Sequence, residues 1–309
     1  MKVRFWVAYL GIMLFSLSVN YLAISDESLD IETIIAGLEN YNELIKSGEA
    51  DIIYKLWQYN KQDKLYDSMV MKSHLTFDGD KTLFKDEEVV SYRSMVFPKQ
   101  VRLSKKTGVL SEFYHENKLN EYIFQSDPFD GVSSDMDPRR LINGVWNQGP
   151  LSEYIVKKGF NITSKEIVDE KLCYILEAKG NQEHEKIWIA PECGFGYLKH
   201  EHWMPFNIPL AEHYGTPGII RRWITYQQNG GAWFPEKVLV DVLWIDNKGK
   251  EHLARRKEVE IKNLNLNCKI PVDKFLIEIP DGVTIWVSDL NRFISKQEFL
   301  KLYSAFMEE

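Results

Sequence analysis

Residues 69–79 read MVMKSHLTFDG, and the fold follows from how they alternate. Met69, Met71, Leu75 and Phe77 alternate with Val70, Lys72, His74 and Thr76. That period of two gives a strand one apolar and one polar face. Asp78-Gly79 then ends the run as a turn. Upstream the period is different. Ile31, Ile34, Ile35, Leu38, Tyr41 and Leu44 recur at helical spacing, with Ser28 or Asp30 placed to cap the start and Gly48 past the end. Residues 51–59, with Ile52, Ile53, Leu56 and Trp57, read as a second short helix. The order is therefore helix, break, helix, and then strands.

Downstream of Gly79, strand-like runs follow at 89–97, 100–104, 109–115 and 120–125. They resume at 162–168, 172–178, 186–190, 197–203, 219–227, 234–245, 252–266, 275–279 and 284–287. Asn229-Gly230-Gly231 and Asn247-Lys248-Gly249 mark hairpins. Nothing of helix length separates most of these runs, so the pattern is a meander and not a βαβ alternation. Residues 126–158 form an excursion: a segment rich in Asp, Pro, Gly and Ser, then LSEYIVKK as a turn or two of helix. A final helix is expected over 295–308, with Phe299, Leu302, Tyr303 and Phe306 on one face.

A sheet this wide curls through its own twist, and helices packed into the hollow would cover its apolar face. The expected fold is mainly β with helices: a curved antiparallel sheet, or incomplete β-barrel, with a helical lid inside the concave face. It forms one domain over 26–309.

The first residues, MKVRFWVAYLGIMLFSLSV, place Lys2 and Arg4 before an apolar run and then small and polar residues. That is the layout of a secretory signal peptide over 1–25; the other reading is an uncleaved N-terminal anchor. The expected location is the periplasm, as a soluble exported protein. A net charge of -7 argues against nucleic acid and anionic membranes as partners. Cys173, Cys193 and Cys268 admit two readings: one disulfide, with Cys173–Cys193 the favoured pair because they flank one hairpin, or three reduced buried thiols.

Four features carry a resemblance. They are the amphipathic helix directly after the leader, FDG at 77–79, IWIAPECGFGYLKHE at 187–201, and GGAWFPEKVLVDVL at 230–243. The last runs into the long strand and the ending EIKNLNLNCKIPVDKFLIEIPDGVTIWVSD at 260–289. Over residues 28–289 this order of elements resembles the outer-membrane lipoprotein-sorting carriers, the LolA/LolB-like superfamily, and especially its larger exported relatives. Ala190 departs from the pattern, standing where an acidic residue is usual. The resemblance implies an incomplete barrel with a helical lid over an apolar cavity, and a binding or carrier role. The implied partner is an acyl chain or other hydrophobic small molecule, with a lipoprotein or envelope protein as a further partner and transient membrane contact. No functional residue of the sorting proteins matches position by position, so none is carried over.

An acyl chain needs a dry, deformable lining, at roughly 0.8 kcal/mol per buried methylene. Methionine suits that task because its side chain adapts. Met69, Met71, Leu75 and Phe77, facing Ile34 and Leu38 of the first helix, are the candidate lining; the same residues would equally pack sheet against helix. Arg221-Arg222 lies within a strand, so one arginine faces inward. Arg222 is the candidate to hold a carboxylate or phosphate head group, and pairing with a neighbouring Asp or Glu is the ordinary alternative.

His200 and His202 share a strand face, as two ligands of a zinc site would, and a polar surface strand explains them as well. No cofactor or metal is expected, and no nucleophile, phosphate-loop or metalloprotease motif is present. The leading reading is a non-enzymatic carrier of a lipid or other hydrophobic molecule. The alternatives are an envelope scaffold with a self-filled interior and, less favoured, a metal-dependent hydrolase at His200 and His202.

Overall fold

The computed structural model of the chain describes residues 29–60, 62–91, 99–105, 108–115, 118–125, 150–180, 183–204 and 218–308. The expected leader and most of the 126–158 excursion lie outside these residues. Helix α1 (Ile31–Leu44) comes first, and Asp30 accepts a hydrogen bond from Thr33 N at 2.8 Å as its cap.

The strands that follow are β1 (Ser47–Tyr59), β2 (Leu65–Asp78), β3 (Lys81–Ser91), β4 (Lys99–Lys105), β5 (Gly108–His115) and β6 (Lys118–Gln125). After helix α2 (Leu151–Lys158) come β7 (Asn161–Val168), β8 (Lys171–Lys179), β9 (His184–Ala190) and β10 (Gly196–Met204). Then β11 (Gly218–Asn229), β12 (Ala232–Ile245), β13 (Glu251–Leu266), β14 (Thr284–Val287) and β15 (Arg292–Ser295) lead to helices α3 (Lys296–Leu302) and α4 (Ser304–Glu308).

All fifteen strands belong to one sheet, in the order β15-β14-β6-β5-β4-β3-β2-β1-β13-β12-β11-β10-β9-β8-β7. The chain starts near the middle, walks by hairpins to β6, restarts at the far edge with β7 and walks back until β13 pairs antiparallel with β1. The turn between β11 and β12 uses Gly230 and Gly231, both at positive φ (57° and 84°), which only a two-residue turn of this hand requires. Among the described strands, the β14–β6 pair alone is parallel.

The sheet is open and curved, and it does not close into a barrel. Curvature follows from the packing. One buried cluster joins α1 and α2 to side chains on every strand from β3 to β8 through β1 and β13. Laid flat, nine strands would span about 38 Å, nearly four times a helix diameter. The face bearing α1 and α2 must therefore be concave.

Three expectations are corrected. Residues 51–59 are strand and not helix: Ile52, Tyr54 and Leu56 face the helices, while Ile53, Lys55 and Trp57 face away. Apolar positions 52, 53, 56 and 57 fit both periods in so short a run, and pairing with β2 on one side and β13 on the other decides it. The run at 275–279 is not a strand. Phe275 closes a 3-10 turn (Val272–Phe275), and Phe275, Ile277 and Ile279 pack onto a second cluster. The strand expected at 89–97 begins earlier, as β3, and residues 92–98 lie outside those described. The expected C-terminal helix is present as α3 and α4, with Ser295 Oγ accepting from Glu298 N at 3.2 Å.

The second cluster lies on the opposite, convex face. Register puts Leu103, Leu110 and Phe124 there, while their neighbours Arg102 and Ser111 face inward. After β13 the chain crosses this outer face to reach β14, and Phe124 meets Phe299, Tyr303 and Phe306 of the terminal helices. Lys105 Nζ, itself buried, donates to Phe306 O at 2.6 Å and fixes the end of the chain. Cys173 and Cys193 share a third, smaller cluster on the outer face of β8–β10. They are free thiols, as is Cys268, so the favoured disulfide is not formed. Burial pushes the Cys173 thiol up to about 12 and Cys193 up to about 11.

Candidate functional site

Along the concave face, burial changes from one end of the strands to the other. At the β1–β2 end, Phe77 lies over Gly48, its cross-strand partner, and stacks on Phe234 with centroids 6.3 Å apart and planes within 4°. A Cβ at Gly48 would stand 2.8 Å from the Phe77 ring, so glycine is what lets the aromatic lie flat here. Ile34, Leu38, Leu75 and Phe77 are buried to within 2 % exposure and Met71 to 5 %. Helix α1 is clamped over them. Gly37 lets the Phe195 ring approach to where a Cβ would clash at 2.2 Å, and Tyr41 Oη donates to Trp233 O at 2.5 Å. Five of the six apolar residues read from the sequence as lining thus meet in one solid core under α1. Met69 is the sixth, packed on the edge of that core and half-buried.

Toward the other end the filling thins. Leu56, Met69, Val89, Met204 and Val242 all pack against the core and all remain half-buried. They sit beside two transverse rows of inward residues, set by register. One row runs Met69, Leu56, Lys257, Val240, Arg222, His200 and Ile187. The next runs Asp67, Gln58, Arg255, Val242, Ile220, His202 and Glu185.

Within these rows lies a buried polar network. Arg222 Nη1 donates to His200 Nδ1 at 2.9 Å, and His200 Nε2 meets Glu185 Oε1 at 2.6 Å. Tyr154 of α2 donates to the other carboxylate oxygen at 2.6 Å. Because Nδ1 accepts from Arg222, the His200 proton is assigned to Nε2. Burial drives the His200 imidazole down to about 4, with the Arg222 charge acting the same way and the Glu185 hydrogen bond opposing both. Burial is the largest single influence on the Glu185 carboxyl and would raise it, but the hydrogen bonds from His200 and Tyr154 and the neighbouring His200 and His202 rings together outweigh it and hold the carboxyl below its ordinary value. The network is therefore a guanidinium and a carboxylate bridged by a neutral imidazole.

Arg222 faces inward, as the strand period predicts, and its partner is His200, with the carboxylate one residue beyond. The surface location weighed for the two histidines is corrected: His200 is 1 % exposed and His202 8 %. Their rings are 6.2 Å apart, and both His200 nitrogens are engaged by Arg222 and Glu185. Among the described residues no group of three His, Cys, Asp or Glu is placed to hold a metal ion. Glu185, Tyr154 and Lys257 were not singled out as site residues. For Glu185 and Lys257 the signal was available in the alternation, since they share parity with Ile187 and Val259.

The far wing is different in kind. Under β2–β5 the concave face carries Ser73, Asp86, Arg102, Ser104 and Ser111, all buried. Asp86 accepts from Ser73 Oγ at 2.7 Å and from Gln100 N at 3.1 Å. The apolar lining therefore runs from β8 through β13 and β1 to β2 and reaches β3 only at Phe84 and Val89.

Among the described residues no helix is long and apolar enough to cross a membrane. No protein-family profile matches the chain, and no curated protein matches it in sequence. Solved structures similar to it include a DUF1329 family protein from Desulfovibrio piger, 12 % identical over 81 % of this chain and 98 % of that one, with a TM-score of 0.47. A LolA superfamily protein from Nitrosomonas europaea is 13 % identical over 81 % of this chain and 99 % of that one, with a TM-score of 0.43. Lipovitellin, from a structure describing lipid–protein interactions, is 9 % identical over 73 % of this chain and 26 % of that one, with a TM-score of 0.31.

Proposed function

We propose that this protein is an exported, periplasmic, non-enzymatic carrier that holds a lipid or other hydrophobic molecule on the concave face of its sheet. The observation behind this reading is the uneven filling of that face. Helix α1 packs solidly at the Phe77 end, whereas Leu56, Met69, Val89, Met204 and Val242 stay half-buried beyond it. Adaptable methionines among aliphatic side chains suit an acyl chain of variable length. Burial of eight methylenes there would supply about 6 kcal/mol before the cost of ordering the chain. Any ligand would touch Met69 and the face near Arg222; Ile34, Leu38, Met71, Leu75 and Phe77 would support it from beneath. Delivery to a membrane, a lipoprotein or an envelope protein would follow from such a role.

The rival reading is a scaffold whose interior is filled by its own helices, and the tight clamp of α1 through Gly37 and Tyr41 favours it. Native mass spectrometry and solvent extraction of the purified full-length protein distinguish the two. The carrier reading expects a co-purified acyl species and saturable binding of a fluorescent fatty acid. An empty protein that binds the probe no better than a control protein would leave the scaffold reading standing.

A further inference from the structure

Two Arg-Arg dipeptides, Arg221-Arg222 on β11 and Arg255-Arg256 on β13, lie two strands apart in the same sheet. Each sends one guanidinium outward and one inward, as adjacent strand residues must. Both outward arginines are matched. Arg221 pairs with Glu251 at 2.6 and 2.8 Å, and Arg256 with Asp241 at 2.7 and 2.6 Å, each through two hydrogen bonds. Arg222, inward, is joined to Glu185 through His200. Arg255 is not matched: among the described residues it makes no hydrogen bond or ion pair, and its Nε is buried.

Arg255 shares its transverse row with His202, which is 8 % exposed. Both His202 ring nitrogens are buried without a hydrogen-bond partner among the described residues, and Glu183 Oε2 stands 4.0 Å from Nε2. Between Arg255 and His202 the row holds only Val242 and Ile220. The backbone separation is three strand spacings, about 14 Å, and curvature brings the inward-pointing tips closer together. Asp67 stands at the β2 end of the row, separated from Arg255 by Gln58, and its Oδ1 is buried without a hydrogen-bond partner among the described residues. One residue pair along the strands, Lys257 and Arg222 add two more cations to the same face.

Buried polar nitrogens are ordinarily hydrogen-bonded, and Arg255 Nε and the His202 ring nitrogens, unpartnered on one row of the concave face, are the groups an acceptor placed there would satisfy. We infer that the Arg255–His202 row takes the oxyanion headgroup, carboxylate or phosphate, of a single-chain amphiphile whose tail lies over Leu56 and Met69. The inference rests on the carrier reading and specifies its ligand. An arginine held on a rigid strand presents paired N–H donors that match an oxyanion. Leu56 lies next to Lys257 and Gln58 next to Arg255, so the change from polar to apolar lining occurs within one residue pair.

The test is displacement of an uncharged fluorescent naphthylamine probe from the full-length protein by dodecyl phosphate, dodecanoic acid, dodecanol and inorganic phosphate. Dodecyl phosphate and dodecanoic acid are expected to displace the probe at concentrations about tenfold below dodecanol, the effect of one charge-assisted hydrogen bond. Inorganic phosphate alone should not displace it. Arg255→Gln should reduce the preference for the charged headgroups to within about twofold, with an unchanged denaturation midpoint. Arg256→Gln, on the outer face, should retain the preference. Equal displacement by dodecanol and dodecyl phosphate, or an undiminished preference in R255Q, would overturn the headgroup assignment while leaving the carrier reading in place. Displacement by inorganic phosphate as effective as by dodecyl phosphate would overturn the assignment to an amphiphile. Failure of all three chain-bearing compounds would overturn the carrier reading and this inference together.

Discussion

Replacing Glu185 with leucine is expected to destabilise the protein by about 3–5 kcal/mol in chemical denaturation. The carboxylate is 2 % exposed and accepts from Tyr154 Oη and from His200, both buried. Its removal leaves two buried donors without that acceptor, at about 1–3 kcal/mol each, and takes the counter-charge from the Arg222 end of the network. The double variant Glu185→Leu/Arg222→Met should recover much of the loss, because an apolar pair of similar volume leaves no uncompensated charge. A Glu185→Leu protein within 1 kcal/mol of wild type would show that the network does not hold α2 to the sheet.

Truncating Phe77 to alanine is expected to cost about 3–5 kcal/mol, and Leu75→Ala about 2–5 kcal/mol. Both side chains are 0 % exposed, Phe77 stacks on Phe234, and the rigid approach of α1 leaves the site little room to collapse. Met69→Ala should behave in the opposite way. Half-buried at the margin of the core, it should cost only about 1 kcal/mol in stability yet weaken fatty-acid probe binding several-fold. The contrast divides residues of one strand face into structural and ligand-facing sets. Equal losses of stability at Met69 and Phe77, or probe binding insensitive to Met69, would show that the division is false.

Much of this arrangement was legible before the structure. The period-two alternation at Met69, Met71, Leu75 and Phe77 gave the strand and its inward face, and the spacing of Ile34 and Leu38 gave the helical stripe that meets it. Sequential hairpins without intervening helices predicted an antiparallel sheet too wide to stay flat. Local signals failed where two periods overlap: Ile52, Ile53, Leu56 and Trp57 read as a helix until the long partners β2 and β13 claim them as strand. They failed again at 275–279, where Phe275 closes a 3-10 turn and Ile277 and Ile279 follow it onto a sheet face without pairing into the sheet. The polar network was half visible. Strand parity sent Arg222 inward, but its link to Glu185 and Tyr154 depends on β9, β10, β11 and α2 meeting in space, separations of 15 to 31 residues that no local pattern encodes. The gradient from filled to half-open along one strand face is likewise a property of where α1 is clamped.

The account depends on where a hydrophobic ligand contacts the concave face. Irradiation of the full-length protein with a diazirine-bearing fatty acid, followed by peptide mapping, measures that contact. Adducts are expected on the segments carrying Leu56 and Met69, with weaker labelling at Val242 and none at Leu75 or Phe77. Labelling confined to exposed surface positions, or concentrated at Leu75 and Phe77 beneath α1, would contradict it.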